Sequence, residues 1–198
     1  VMDNEDISGD LTGAFRMVRI LFEDWVRKEL QYLDYEKIQK KSTPSLKDGL
    51  FLSFNYTHTL ESVYGIQSEH ICHIHGDCRD KSSKIYFGHG NRNEVDVESW
   101  YWGIKEAFDR LQEELRKDTE YALYDNAAFF DKLKSITDVY SYGFSFSDVD
   151  MIYIDRISKT VDVQNVVWHF NTYDWDKNHH YIDKIKAYGY KVAKEPIW

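Results

Sequence analysis

Proline is nearly missing from this chain, with two residues in 198. That scarcity excludes a proline-rich linker and favours long regular elements. Cysteine is as rare: Cys72 and Cys78 are the whole supply, too few for a disulfide framework. No stretch approaches the roughly 18 apolar residues of a membrane span. The start, VMDNEDISGD, lacks the basic-then-apolar pattern of a secretion signal. A reduced, cytoplasmic setting is the default expectation, with no membrane. Positive charge is also short: 25 Lys and Arg stand against 34 Asp and Glu, a formal net charge of −9. Such a chain gains no general attraction to phosphate backbones, which excludes a broad basic nucleic-acid surface and leaves room only for a local basic pocket.

Aromatic residues are plentiful, with 6 Trp, 15 Tyr and 11 Phe, and hydrophobic residues make up 42%. A chain of this length and composition buries a sizeable core and is not disordered. Residues 1–9 read as a flexible start. Leu11, Phe15, Val18, Phe22, Trp25, Val26, Leu30 and Leu33 recur at steps of three and four, one helical stripe that runs to about Lys41 and stops before Pro44. A helix of roughly 28 residues would be about 42 Å long, so it is expected to break or project.

Gly49–Asn55 is a short apolar run that reads as a buried strand. A short helix is expected over Thr57–Tyr64, and strands over His70–Gly76 and Lys84–Gly90. Trp100, Ile104, Phe108, Leu111 and Leu115 mark another amphipathic helix, and a further one spans about Glu120–Lys134. From there strand and helix alternate: a strand at Asp138–Phe144, and a helix opened by a Ser147–Asp150 capping box. A strand at Asn165–Phe170, a helix at Asp174–Tyr188 and a last strand at Tyr190–Ala193 follow. Alternation of this kind is the mark of βαβ units and a parallel sheet. The expected organisation is a single α/β domain over 1–198, with sheet-core segments at 49–90 and 138–194 and helical additions at 10–41 and 99–134.

Ligands of open α/β sheets bind beyond the carboxyl ends of the strands. Four polar clusters fall at such ends. In Ser53–Glu61, Asn55 offers both a donor and an acceptor to a ribose hydroxyl or carboxamide; the plainer alternative is that Asn55 or Thr57 caps the next helix. In Cys72–Cys78, a strand would send His73 and His75 to one face. His75 could act there as a general base beside Gly76, whose missing side chain lets a ligand approach. The alternative is a packed His73, and a His75 that bonds a nearby carbonyl. In Phe87–Asn91, Gly88 and Gly90 flank His89 in a loop suited to a phosphate or ribose, or to a plain turn. In Tyr142–Asp148, Gly143, Ser145, Ser147 and Asp148 lead into a helix whose N-terminus favours anions, though Ser147 also fits a simple cap.

His70, Cys72, His73, His75 and Cys78 are five possible zinc ligands within nine residues. They lack a second cysteine pair, and alternation sends Cys72 and His73 to opposite faces, so no metal is expected.

Taken in order, LSFNYTHTLE (Leu52–Glu61), HIHG (His73–Gly76), IYFGHGN (Ile85–Asn91) and YGFSFSDVD (Tyr142–Asp150) resemble the phage abortive-infection AbiH family. WHFNTYDWDKN (Trp168–Asn178) is similar to its closing strand and helix. The resemblance runs from about residue 49 to the C-terminus. AbiH domains in turn resemble sirtuins. That likeness implies a Rossmann-like, sirtuin-like fold with a mainly parallel sheet and an added helical layer. It also implies binding of NAD or a related nucleotide, with cleavage of the nicotinamide–ribose bond. On it His75 matches the catalytic base and Asn55 the residue that orients ribose or water. Thr57, Gly76, Gly88, His89, Gly90, Gly143, Ser145 and Asp148 would line the cofactor.

The chain departs from the family at its start. AbiH proteins begin with an apolar strand and a G-N-G-F-D-type loop, and sirtuins with their own glycine-rich loop. Residues 1–48 hold neither, so the expectation is a truncated member without the unit that cradles pyrophosphate. The paired zinc motifs of sirtuins are missing too, which speaks against a deacylase. The leading expectation is a phage-defence domain that binds and hydrolyses such a nucleotide. The alternative is a non-catalytic interaction or sensor domain whose helical layer binds a defence-system partner or a second copy. A small zinc-stabilised domain is a third reading.

Overall fold

The computed structural model describes residues 4–39, 49–90 and 102–195. The chain divides into two compact units. One comprises Val1–Leu33, Asn55–His58 and His75–Asp118; the other comprises Asp34–Phe54, Thr59–Ile74 and Thr119–Trp198.

The first unit is built on helix α1 (Asn4–Glu29) and helix α3 (Trp102–Leu115). Phe22 and Val26 of α1, with Leu30 just after it, pack with Tyr56, Cys78 and Ile85 around a small apolar centre. Charged side chains also hold this unit together. Arg16 donates from Nε to Glu114 Oε2 at 2.9 Å and from Nη2 to Oε1 at 2.5 Å, a bidentate pair that ties α1 to α3. Arg27 donates to the carbonyls of Asp80 (2.9 Å) and Ser83 (2.6 Å), which pins the turn between them.

Among the described residues, the strands lie in the second unit. β1 (Phe51–Ser53) and β2 (Ile71–His73) pair in parallel, with α2 (Thr59–Tyr64) between them. β3 (Asp138–Ser141), β4 (Val167–Asn171) and β5 (Lys191–Glu195) form a second parallel sheet in the order β3-β4-β5. α4 (Thr119–Asp125) and α5 (Ala127–Asp131) precede β3, α6 (Met151–Thr160) joins β3 to β4, and α7 (Thr172–Lys177) and α8 (His179–Ala187) join β4 to β5. The fold is therefore mixed α/β with parallel strands in two small sheets. β4 is central because its sequence is the most apolar: Trp168 and Phe170 are buried on one face, and the Trp168 indole N–H donates to Ser141 Oγ at 3.1 Å. Phe146, itself 1% exposed, packs on both rings.

Several expected boundaries shift. α1 begins at Asn4, inside the segment read as a flexible start, and ends at Glu29. Two 3-10 turns, Leu30–Tyr32 and Tyr35–Lys37, follow, so the long helix does break. The expected stop at Ser42–Pro44 and the Trp100 start of the next helix lie outside the described residues. The strand over His70–Gly76 ends at His73, and the one over Lys84–Gly90 is only an isolated bridge at His89. The helix over 174–188 is two helices, separated at Asn178. Among the described residues no helix is long and apolar enough to cross a membrane.

Candidate functional site

In the second unit, the carboxyl ends of β1 and β3 are tied together by aromatic rings. Phe54, directly after β1, packs at a tilt on Phe144 at 4.5 Å between centroids and meets Tyr153 edge-on at 5.6 Å. Phe54 leads into Asn55 and Phe144 into Ser145, and both of these polar residues are exposed.

The β3–α6 loop has a constrained backbone. Gly143 has φ +61°, and Phe146 has φ +49°, which is rare for a bulky side chain. Buried packing of the Phe146 ring against Phe144, Phe170 and Tyr181 holds it there. Lys184 of α8 reaches across, donating to the Phe146 carbonyl and to Asp148 Oδ1, each at 2.8 Å. The ammonium holds the Asp148 carboxyl below the ordinary range. Ser147 does not cap α6 through its hydroxyl. The hydroxyl donates to Asp150 Oδ2 at 3.0 Å, while the Ser147 carbonyl accepts from the Asp150 and Met151 N–H groups. The entrance to α6 is thus acidic, with Asp148 exposed and Asp150 buried.

In the first unit, the segments Asn55–His58 and His75–Gly90 are laced by hydrogen bonds. Cys78 N–H donates to Tyr56 O at 2.9 Å, Tyr86 N–H to His75 O at 2.8 Å, and Tyr56 Oη to Tyr86 O at 2.9 Å. Between them His58 Nε2 lies 2.6 Å from Asp77 Oδ1. The same carboxylate oxygen accepts from the Arg79 N–H at 2.8 Å. A carboxylate that fixes one imidazole nitrogen is how a general base is oriented.

The expected residues are placed unevenly. Asn55, Gly143, Ser145 and Asp148 are exposed, Thr57 is half-buried, and His75 and Gly76 are buried. His73 and His75 do not share a strand face, because the chain turns at Ile74; His73 instead pairs through Nε2 with Glu61 Oε1 at 2.9 Å. Gly88 and His89 belong to a backbone bridge: His89 N–H donates to Leu115 O at 3.2 Å, and Lys117 N–H donates back to His89 O at 3.0 Å. Gly90 follows, exposed. The five candidate zinc ligands have partners or packing of several kinds. Cys72 is buried and bonds Asn126 Oδ1 at 3.3 Å, while Cys78 sits in the other unit's apolar centre. Burial pushes the Cys72 thiol up to about 12.

Sequence reading passed over three features. The first is the His58–Asp77 pair. The second is the group formed by buried Asn171 and Asp174 with half-buried Asn178 at the end of β4. There Asn171 Oδ1 accepts from Asp174 N–H at 3.0 Å, and both Asn side chains donate to the Asp174 carboxylate. The N-x-x-D spacing was its only local signal. The third is His169, whose Nε2 meets Asp138 Oδ1 at 2.8 Å and whose ring stacks on Tyr140 at 4.3 Å. Partners 31 residues apart left no local trace.

Parallel strands joined by helices, in two small sheets, define a mixed α/β protein. Residues 2–172 match the model of the bacteriophage abortive infection AbiH family. The chain belongs to that family, and its role lies in phage abortive infection. The match includes α1, which the quoted motifs alone did not reach. No curated protein and no solved structure matches the chain.

Proposed function

We propose that this AbiH chain binds a nucleotide such as NAD beyond the carboxyl ends of β1 and β3 and hydrolyses its nicotinamide–ribose bond. The observation that carries the reading is the packing of Phe54 on Phe144, which joins the two strand ends where an α/β protein places its ligand. In the second unit Gly143, Ser145 and Asp148 line the ribose; in the first, the family likeness gives Asn55 the part of orienting ribose or the attacking water. The acidic entrance of α6 suits ribose hydroxyls, which donate to carboxylates, better than phosphate, which they repel. His75 is the base on the family likeness. His58, oriented by Asp77, is a second base of better access, since His75 is only 4% exposed. In the reaction, water oxygen bonds to the ribose anomeric carbon and the bond to the nicotinamide nitrogen breaks. Nicotinamide leaves neutral, ADP-ribose remains, and the water's proton passes to the base.

The experiment is to mix the purified chain with NAD, follow nicotinamide release, and measure binding by calorimetry. Release is expected; neither release nor binding would remove the proposal. A second reading, a non-catalytic interaction domain, is favoured by the apolar residues that α1 exposes. If His75→Ala and His58→Ala both fold normally and leave phage defence unchanged, that reading stands instead.

A further inference from the structure

The β3–α6 loop takes its shape at one residue. Phe146 has φ +49°, a left-handed backbone that bulky side chains rarely adopt and that surrounding structure must hold. Its ring is turned inward, 1% exposed, onto Phe144, Trp168, Phe170 and Tyr181. Ser145, just before it, and Asp148, just after it, stay exposed.

Ring packing fixes the Phe146 side chain. The backbone oxygen needs a donor of its own. That donor is Lys184 Nζ of α8, at 2.8 Å and 38 residues away in the chain. The same ammonium donates to Asp148 Oδ1 at 2.8 Å. One cation therefore holds the loop at two points, one on the backbone and one on a side chain.

An ordinary surface ion pair does not account for this arrangement. The Asp148 side chain is 97% exposed, and a pair so open to water adds little stability. Lys184 is covered along most of its length, at 35% exposed. Its stem lies against the protein and its head is aimed at the loop. Asp148 is oriented through Oδ1, and its second oxygen is left for a hydroxyl to donate to.

We propose that Lys184 is a positioning residue of the nucleotide site: through the Phe146 carbonyl and Asp148 Oδ1 it sets the β3–α6 loop in the shape in which Ser145 and Asp148 meet a ribose. The inference rests on the reading that this loop lines the nucleotide. In this role Lys184 acts through the loop and not on the bond that breaks.

Two variants of the full chain test it, each read by NAD calorimetry, thermal unfolding and amide hydrogen exchange. Lys184→Met keeps the apolar stem and removes both donated bonds. Its NAD dissociation constant is expected to rise about tenfold to a hundredfold, the scale on which a small misplacement acts. Its thermal midpoint is expected to stay within about 4 °C of the parent. Exchange at the Asp150 and Met151 amides, which donate to Ser147 O, is expected to quicken, while exchange in β4 holds. Lys184→Arg keeps the cation and is expected to bring NAD affinity back to within a few-fold of the parent.

A parent chain that binds no NAD removes the nucleotide reading and this role with it. A parent that binds NAD, beside a Lys184→Met chain that binds it equally well, overturns the role of Lys184 alone. Unchanged exchange at Asp150 and Met151 does the same. So does a loss of affinity that arginine leaves unrestored or that comes with a collapsed thermal midpoint, because the residue is then structural only.

Discussion

His58 Nε2 and Asp77 Oδ1 lie 2.6 Å apart, and their side chains are only 16% and 19% exposed. The short contact fixes the imidazole ring, and half-burial keeps water from displacing it. The first prediction follows from this pair. His58→Ala is expected to lower nicotinamide release by about 10² to 10⁴, the range of a positioned acid–base group. Asp77→Asn should give a smaller loss, because the ring remains and only its orientation is lost. The check is a rate comparison on folded variants; a full rate in His58→Ala would return the base assignment to His75.

A second prediction contrasts two glycines of positive φ. At Gly88, φ is +137° and an added Cβ would fall 2.2 Å from Leu115 O, so the bridge would have to open. At Gly143, φ is +61° and an added Cβ meets nothing within 4 Å among the described residues. Gly143→Ala is thus expected to cost about 1–2 kcal/mol, the backbone term alone. Gly88→Ala should cost more, roughly 2–4 kcal/mol, since strain and a backbone clash add. Denaturant unfolding of the two variants would show the order, and the reverse order would contradict the geometry.

Acid stability supplies a third. The Thr137 hydroxyl and the His169 ring hold the Asp138 carboxyl below its ordinary value. A depressed folded value stabilises the protein above the unfolded carboxylate range, and that contribution is lost as pH falls through the folded value. Stability should therefore drop below pH of about 4, and Asp138→Asn should flatten that part of the profile. An unchanged acid limb in the variant would rule the pairing out as its source.

The fourth concerns reactivity. With its thiol pushed up to about 12, Cys72 carries almost no thiolate near neutrality. In the native chain, alkylation of Cys72 at pH 8 is expected to be at least tenfold slower than after unfolding, as read by mass spectrometry. Equal rates would show that the residue is accessible.

Much of the architecture was legible because it is local. The apolar run around Trp168 and Phe170 named β4, and its alternation with helical spacing after Asp138 implied the parallel β3-β4-β5 sheet. The motifs LSFNYTHTLE and YGFSFSDVD pointed to the strand ends that Phe54 and Phe144 join. The Lys84–Gly90 strand failed for a physical reason: Ile85 and Phe87 pack against α1 rather than in a sheet, and apolar content alone does not tell these apart. A period of two puts His73 and His75 on one face, and the turn at Ile74 interrupts it.

What the sequence by itself determined is the class of element at most places and the family. Each depends on residue type and near-neighbour spacing, which the chain states directly. Tertiary structure decided which polar groups meet. His58 finds Asp77 19 residues away, Lys184 finds the β3–α6 loop 36 and 38 residues away, and Gly88 is pressed against the end of α3. Such meetings arise only when distant segments are packed together, so no local rhythm of side chains encodes them.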